Sequence, residues 1–463
     1  MATMMFAISN AVYYGMSFIY TPIFTRMLTM EEMGTVTMYG TWSNLLMMLC
    51  TFSVWGCAYN GFVDFKGREN SFLASLLLLA NALSAAEVVL FAVLPDTVAG
   101  WLGLPKLLVA FMLVNILLMP AYQLWCAKQR YAYRWKAMFL FSLGNALSTL
   151  VVGVGSVKAF PAFRAEAKVI GSGVVQVIIY AVMYVLLLRR GGIHPEKGQW
   201  KYALRICAPL LPGTLATSIL GQSDRVMIDK MLGKAPAAVY GMAGNISTIA
   251  YTVITSSINV SWVPYIFQKM ESHEYEKLRT TSRFLVGLVG LGCLMLTLCA
   301  PELLEILAPD TYDMAKWCVP ALLMGILYEF TSWLFTNIES YYRRTEFIAA
   351  GTLTAAGVNI LLNWLLIPRF GFVAAAYTTW FSAILMLGLH SVFFRKVCAQ
   401  QGLTVKLYDL RAVGITVALF TAAAFGGMAL YPFFIIRAII VAVICIAVLA
   451  NIKKLLARLK AIR

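Results

Sequence analysis

Apolar residues in this sequence gather into long runs with almost no polar interruption, divided by short clusters of charged residues, Gly and Pro. Half-buried strands and surface helices alternate apolar with polar positions. These runs do not, so they read as helices enclosed on all sides by protein or lipid. A helix crosses the hydrocarbon core with about 20 apolar residues, and that ruler gives about fourteen spans. They cover 2–24, 33–63, 71–94, 107–127, 135–157, 168–188, 203–232, 238–266, 282–308, 317–340, 347–367, 371–394, 412–431 and 433–451. The first has no basic stretch before it and no small-residue cleavage site after it, so it reads as a span rather than a leader. The runs at 33–63, 203–232 and 238–266 exceed the required length and are expected to protrude or bend, which Pro209 and Pro212 would permit. The expected fold class is all-α and integral to the membrane.

Composition agrees with the pattern: 61% of the 463 residues are apolar and 13% charged, against about half and about a quarter in soluble proteins. The net charge of +16 changes the picture only through its placement. Nucleic-acid binders cluster Lys and Arg on a polar face; here the basic residues stand between apolar runs, which excludes that partner. Most fall in the even-numbered loops and the C-terminal stretch, as in "KQRYAYRWK", Arg189–Arg190 and "KKLLARLKAIR". Cytoplasmic loops carry that excess, so both termini are expected on the cytoplasmic side. Nine cysteines, at 50, 57, 126, 207, 293, 299, 318, 398 and 445, lack CxxC spacing and lie in apolar stretches. They imply neither disulfides nor a metal site.

The chain also resembles itself. "TRMLTMEEMGTVTMYG" from Thr25 matches "DKMLGKAPAAVYGMAG" from Asp229, pairing Arg26 with Lys230. "KQRYAYRWKAMFLFSLGNALST" matches "YRRTEFIAAGTLTAAGVNILLN", pairing Asn145 with Asn359. Order, spacing and side of the membrane are kept, which predicts duplication of a six-helix unit: one bundle at 1–200, a second at 201–400, and two further helices with a basic tail at 401–463. Two copies with an even number of helices share an orientation and relate through an axis along the membrane normal. Such bundles enclose a central cavity that rocking exposes to either side, the plan of a secondary transporter.

Three stretches carry a family resemblance. "YTPIFTRMLTMEEMG", "SDRVMIDKMLG" running on to "VYGMAGNI", and "GVNILLNWLLIPRFGFVAAAYTT" are similar to signatures of polysaccharide-export proteins in the multidrug/oligosaccharidyl-lipid/polysaccharide exporter superfamily. Ala238 stands where that family often has Gly, and Met33 where it often has an aromatic residue or Leu. The resemblance implies a flippase that carries lipid-linked oligosaccharide from the cytoplasmic to the outer leaflet of a bacterial cell membrane. It implies a polysaccharide polymerase and glycosyltransferases as partners beside the lipid bilayer, and no cofactor. A polyprenyl-pyrophosphate sugar has an anionic, hydrated head that cannot cross hydrocarbon, so a cation-bearing groove suits it; Arg matches phosphate oxygens with its planar fork and Lys with a point charge.

Candidate substrate contacts are Arg26, Asp224, Arg225 and Lys230, with Asn145, Asn359 and Asn363 as candidate sugar contacts. Snorkelling to the interface is the structural alternative for the basic residues. Asp224 lies within a span, where a carboxylate is costly and faces a cavity or a partner. Asn359 and Asn363, four apart, share a helix face, a geometry that Asn145 and Thr149 repeat; gluing helices together is the alternative to sugar contact. Glu87 and Glu329 lie in apolar surroundings and are candidate proton carriers, because burial disfavours the charged carboxylate. His390 reads as structural. Pro22, Pro120 and Pro264 could bend their helices, and Trp42, Trp125, Trp262 and Tyr265 read first as an interfacial belt.

No G-x-x-x-x-G-K loop, HExxH motif or nucleophile with paired cytoplasmic carboxylates occurs, so no enzyme and no internal ATP drive are expected. Two other readings compete with the flippase. A drug or cation extruder of the same superfamily would load its cavity with carboxylates and aromatics. A membrane-embedded polymerase or ligase would need a large outer loop, and the odd-numbered loops are short.

Overall fold

A computed structural model of the protein describes residues 18–455 apart from 133, 195, 255–257, 259, 404–406 and 454. Every element among them is helical. Among the described residues ten helices are long and apolar enough to cross a membrane, eleven if one bent pair counts as a single span. The expected span at 2–24 falls mostly outside the described residues. The chain separates into two compact units, Met1–Ala238 and Val239–Arg463.

The first unit holds α1 (18–27), α2 (Met30–Thr51), a 3₁₀ turn at Val54–Cys57, α3 (Ala58–Asp64), α4 (Glu69–Val93), α5 (Pro95–Leu102), α6 (Lys106–Tyr131), α7 (Trp135–Ala159), α8 (Arg164–Gly191) and α9 (Lys197–Leu232). The stretch "LTMEEMG" is a helix start: Thr29 Oγ1 accepts from Glu32 N at 3.2 Å and Glu32 Oε2 accepts from Thr29 N at 2.7 Å. This reciprocal capping box satisfies two amides that α2 would otherwise leave unpaired. The long run at 33–63 bends by 56° between α2 and the segment Val54–Asp64, where Phe52 and Ser53 adopt positive φ. α8 packs on α2, α4, α6 and α7. Hydrocarbon gives helices no hydrophobic reason to associate, so close approach and dispersion must hold them. α7 and α8 meet through Gly153, Ser156, Gly171 and Ser172; a Cβ on Gly171 would lie 2.2 Å from Ser156 Oγ. Elsewhere in this unit Phe72, Leu73, Leu76 and Leu77 of α4 pack with Phe62, Leu124 and Cys207 into a buried apolar core.

The second unit begins within α10 (Lys234–Val253) and continues through α11 (Val260–Glu271), α12 (Tyr275–Leu298), α13 (Ala300–Leu307), a 3₁₀ turn at Asp310–Trp317, α14 (Val319–Tyr341), α15 (Thr345–Phe370), α16 (Val373–Gln400), α17 (Leu410–Met428) and α18 (Phe434–Ala450). α14 is its hub: 67% of its most apolar window is buried, against at most 44% for any other candidate span. The run expected as one span at 282–308 is two helices, α12 and the short α13. α18, at 17 residues, packs on α12 and is fastened by Arg437. That guanidinium makes a two-pronged pair with Glu302 at 2.7 Å and donates to the carbonyls of Leu298, Leu430 and Tyr431.

Trp42, Trp262 and Tyr265 do not stand in an interfacial belt. All three are buried; Trp42 tilts against Trp101 with centroids 5.1 Å apart, and Trp262 stacks on Tyr265 at 5.4 Å. Their rings fill gaps between helices, where a large flat side chain gains more contact than at the lipid boundary.

Candidate functional site

Inside the first unit, α1, through Tyr20, and four further helices turn polar side chains toward one another around a cavity of about 380 Å³. Each contributes one face. α2 supplies Tyr39, Ser43 and Asn44; α6 supplies Phe111 and Asn115; α7 supplies Asn145 and Thr149; α8 supplies Lys168, Ser172 and Gln176. The four-residue steps, from Tyr39 to Ser43, Phe111 to Asn115, Asn145 to Thr149 and Lys168 through Ser172 to Gln176, are those that line up along one side of a helix. The small residues at the α7–α8 crossing let those two backbones come close.

The polar groups here are only partly satisfied. Asn115 Nδ2 donates to the Phe111 carbonyl at 3.1 Å and to Tyr39 Oη at 3.4 Å. The Asn145 amide oxygen and the Ser172 hydroxyl, on residues 5% and 8% exposed, have no hydrogen-bond partner among the described residues. Lys168 lies over the Phe24 ring, 5.4 Å from its centroid, and makes no ion pair among the described residues. A buried amide or hydroxyl left unpaired costs roughly 1–3 kcal/mol. The arrangement is therefore suited to a ligand that supplies acceptors to Lys168 and donors to Asn145.

Of the residues singled out from sequence, Asn145 lies in this cavity. Asn359 and Asn363 lie in the second unit, both fully buried, in a clasp between α15 and α16. Asn363 Nδ2 donates to Asn359 Oδ1 at 3.3 Å, Asn359 Nδ2 to Thr379 Oγ1 at 3.1 Å, and the Thr378 hydroxyl to Asn363 Oδ1. Asp224 is buried and Arg225 half-buried on α9, with Arg225 donating to Gln222 at 3.0 Å. Lys230 is exposed and donates to the carbonyl of Trp101, where α5 ends at Gly103 with φ 66°; its neighbour Asp229 pairs with Lys234 at 3.3 Å. Arg26 is exposed and donates to the Pro22 carbonyl at 3.1 Å. Glu87 is half-buried on α4 against an apolar pocket of about 240 Å³ and finds no hydrogen-bond partner among the described residues. Glu329 is half-buried on α14.

Lys168, Asn44, Asn115 and Gln176 were not among the candidates, although Lys168, Ser172 and Gln176 recur every four residues along one run. Glu339, which sequence does not single out, is fully buried on α14 and pairs with His390 Nδ1 of α16 at 3.1 Å. Gly351 of α15 makes room for that ring; a Cβ there would lie 2.6 Å from Nε2. Among the described residues no group of three or more His, Cys, Asp or Glu is placed to hold a metal ion, and all nine cysteines are free.

The fold and this polar-lined bundle define a multi-span helical membrane protein. The chain belongs to the polysaccharide biosynthesis protein family, whose model matches residues 2–270. No curated protein sequence matches it. Among solved structures it is similar to the lipid II flippase MurJ in an inward closed conformation, with a TM-score of 0.72 at 10% identity over 98% of this chain and 99% of that one. An inward-facing multidrug resistance MATE family transporter follows at 0.67 and 10% identity, over 86% of this chain and 96% of that one. An outward-facing MATE transporter gives 0.56 at 14% identity, over 87% and 97%.

Proposed function

We propose that this protein flips polyprenyl-pyrophosphate-linked oligosaccharide from the cytoplasmic to the outer leaflet of a bacterial cell membrane, by alternating access, for assembly of cell-surface polysaccharide. The observation that carries the proposal is the combination of membership in a polysaccharide biosynthesis family with a fold similar to a lipid II flippase. The cavity in the first unit supports it, since its hydroxyls, amides and single amine suit a hydrated, negatively charged head group rather than an apolar cargo. A polymerase and glycosyltransferases acting on the same lipid-linked sugars are the expected partners. Deleting the gene is expected to abolish surface polysaccharide while lipid-linked precursor builds up, as read by mass spectrometry of extracted lipids. Unchanged polymer with no precursor build-up refutes the proposal.

One observation favours a second reading, export of lipophilic cations. Glu87 places a carboxyl group at the wall of an otherwise apolar pocket, a combination that suits a drug-like cation, and the likeness to MATE transporters points the same way. Under that reading Glu87→Gln abolishes the protein's contribution to drug efflux and leaves surface polysaccharide intact.

A further inference from the structure

We infer that the cavity of the first unit is a binding site for a single acidic sugar residue, with Lys168 reading the carboxylate and Asn145, Ser172 and Gln176 reading ring hydroxyls. The inference rests on the flippase reading for its cargo and narrows that cargo to glycans carrying a uronic-acid-type unit. Three observations lead to it. The first is size. A space of about 380 Å³ corresponds to about a dozen waters; a pyranose, whose bonded atoms each take up less room than a free water, fits within it together with a few waters.

The second is chemistry. The wall combines amide and hydroxyl side chains, which exchange hydrogen bonds with sugar hydroxyls in both directions, with the rings of Tyr39 and Phe111, stacked 6.4 Å apart. Rings of this kind cover the apolar face of a pyranose. Among the described residues no Asp or Glu lines the cavity, and none there neutralises Lys168. An amine held in such a setting is costly until an anion joins it. A metal ion or an organic cation would be repelled by the same amine.

The third is the contrast with the second unit. Asn359 and Asn363 occupy a setting that sequence equates with Asn145, and there the amides bond to each other and to Thr378 and Thr379. In the first unit the Asn145 oxygen and the Ser172 hydroxyl are buried and left unmatched among the described residues. Polar side chains brought together only to hold helices would close on one another, as they do between α15 and α16.

The test uses the purified full-length protein in detergent and saturation-transfer NMR with three probes: sodium D-glucuronate, D-glucose and sodium acetate. Glucuronate is expected to receive several-fold more saturation than either glucose, which has the ring without the carboxylate, or acetate, which has the carboxylate without the ring. Lys168→Met is expected to weaken glucuronate binding at least about tenfold, the scale of one lost hydrogen bond to a charged group, and to leave glucose unchanged. Should that variant fail to fold, the preference of the wild-type protein among the three probes decides the matter alone. Equal signals from acetate and glucuronate would reduce the cavity to a simple anion site and overturn the inference. Equal signals from glucose and glucuronate, or none from any probe, overturn it as well. Because the readout is binding, a strain whose precursor lipids are unchanged on deletion would remove the flippase reading without altering this result.

Discussion

Arg437 is, with Glu339 and His390, one of three deeply buried ionisable residues that the second unit pairs with another ionisable group among the described residues. It stands near the start of an apolar run that sequence presents as an appended span, yet its fork joins Glu302 and three backbone carbonyls where α12 gives way to α13 and α17 to α18. Removing one partner of a buried pair costs about 3–5 kcal/mol, and the lower end applies here because Glu302 keeps 31% of its side-chain exposure. Arg437→Leu should therefore lower the thermal midpoint in detergent by several degrees. Arg437→Lys should recover less than half of the loss, since a point charge cannot replace a planar fork reaching five acceptor oxygens on four residues. Wild-type stability in both variants would contradict this role. Lys230 also makes a long-range contact: its amine donates to the Trp101 carbonyl near the end of α5, between segments 129 residues apart, which spacing cannot reveal.

Between elements, the limiting factor is how closely backbones can approach. Gly191 ends α8 against α4, and a Cβ there would lie 2.2 Å from the Asn70 carbonyl oxygen and 2.5 Å from Ala74 Cβ. Backbone cannot step aside as a flexible side chain can, so Gly191→Ala is expected to cost about 1–3 kcal/mol. Gly155 of α7 has nothing within 4 Å of the same construction. Gly155→Ala should be neutral or stabilising by up to about 1 kcal/mol through helix propensity. Thermal unfolding of the two variants side by side checks the pair, and equal effects would contradict the packing argument. The family-like stretches gain a local explanation at this scale. "TMEE" is the capping box of α2, and Gly233 and Gly371, with φ of 95° and 74°, end α9 and α15. Those residues are visible in the sequence because caps and stops depend on a few neighbouring positions. The cavity of the first unit was only half visible. Asn145 showed as polar within a span, while the four-residue recurrence of Lys168, Ser172 and Gln176 began too near a helix end to separate from a snorkelling Lys.

For the whole molecule, the sequence carries one further statement, orientation in the membrane. The excess of Lys and Arg in the even-numbered loops and the C-terminal stretch predicts that these face the cytoplasm. Green fluorescent protein fused after Arg463 should fluoresce and alkaline phosphatase fused at the same point should be inactive; the reverse pattern would invert the topology. The helix count is less well fixed by hydropathy. A run of apolar residues has the same composition whether it is one long span, a helix bent by 56° as at α2 and Val54–Asp64, or two helices as at α12 and α13.

The sequence alone determined that this chain is a bundle of apolar helices in a membrane, where some of those helices are capped, and which family it belongs to. Those properties follow from composition, from run length against the bilayer and from caps read within one turn. The tertiary structure decided which polar residues meet. Asn145 faces an open cavity beside Lys168, while its counterparts Asn359 and Asn363 close on each other, although the two settings look alike in sequence. The difference arises because a side chain's partners lie on other helices, and the packing of Gly and Ser at each crossing sets how near those helices come.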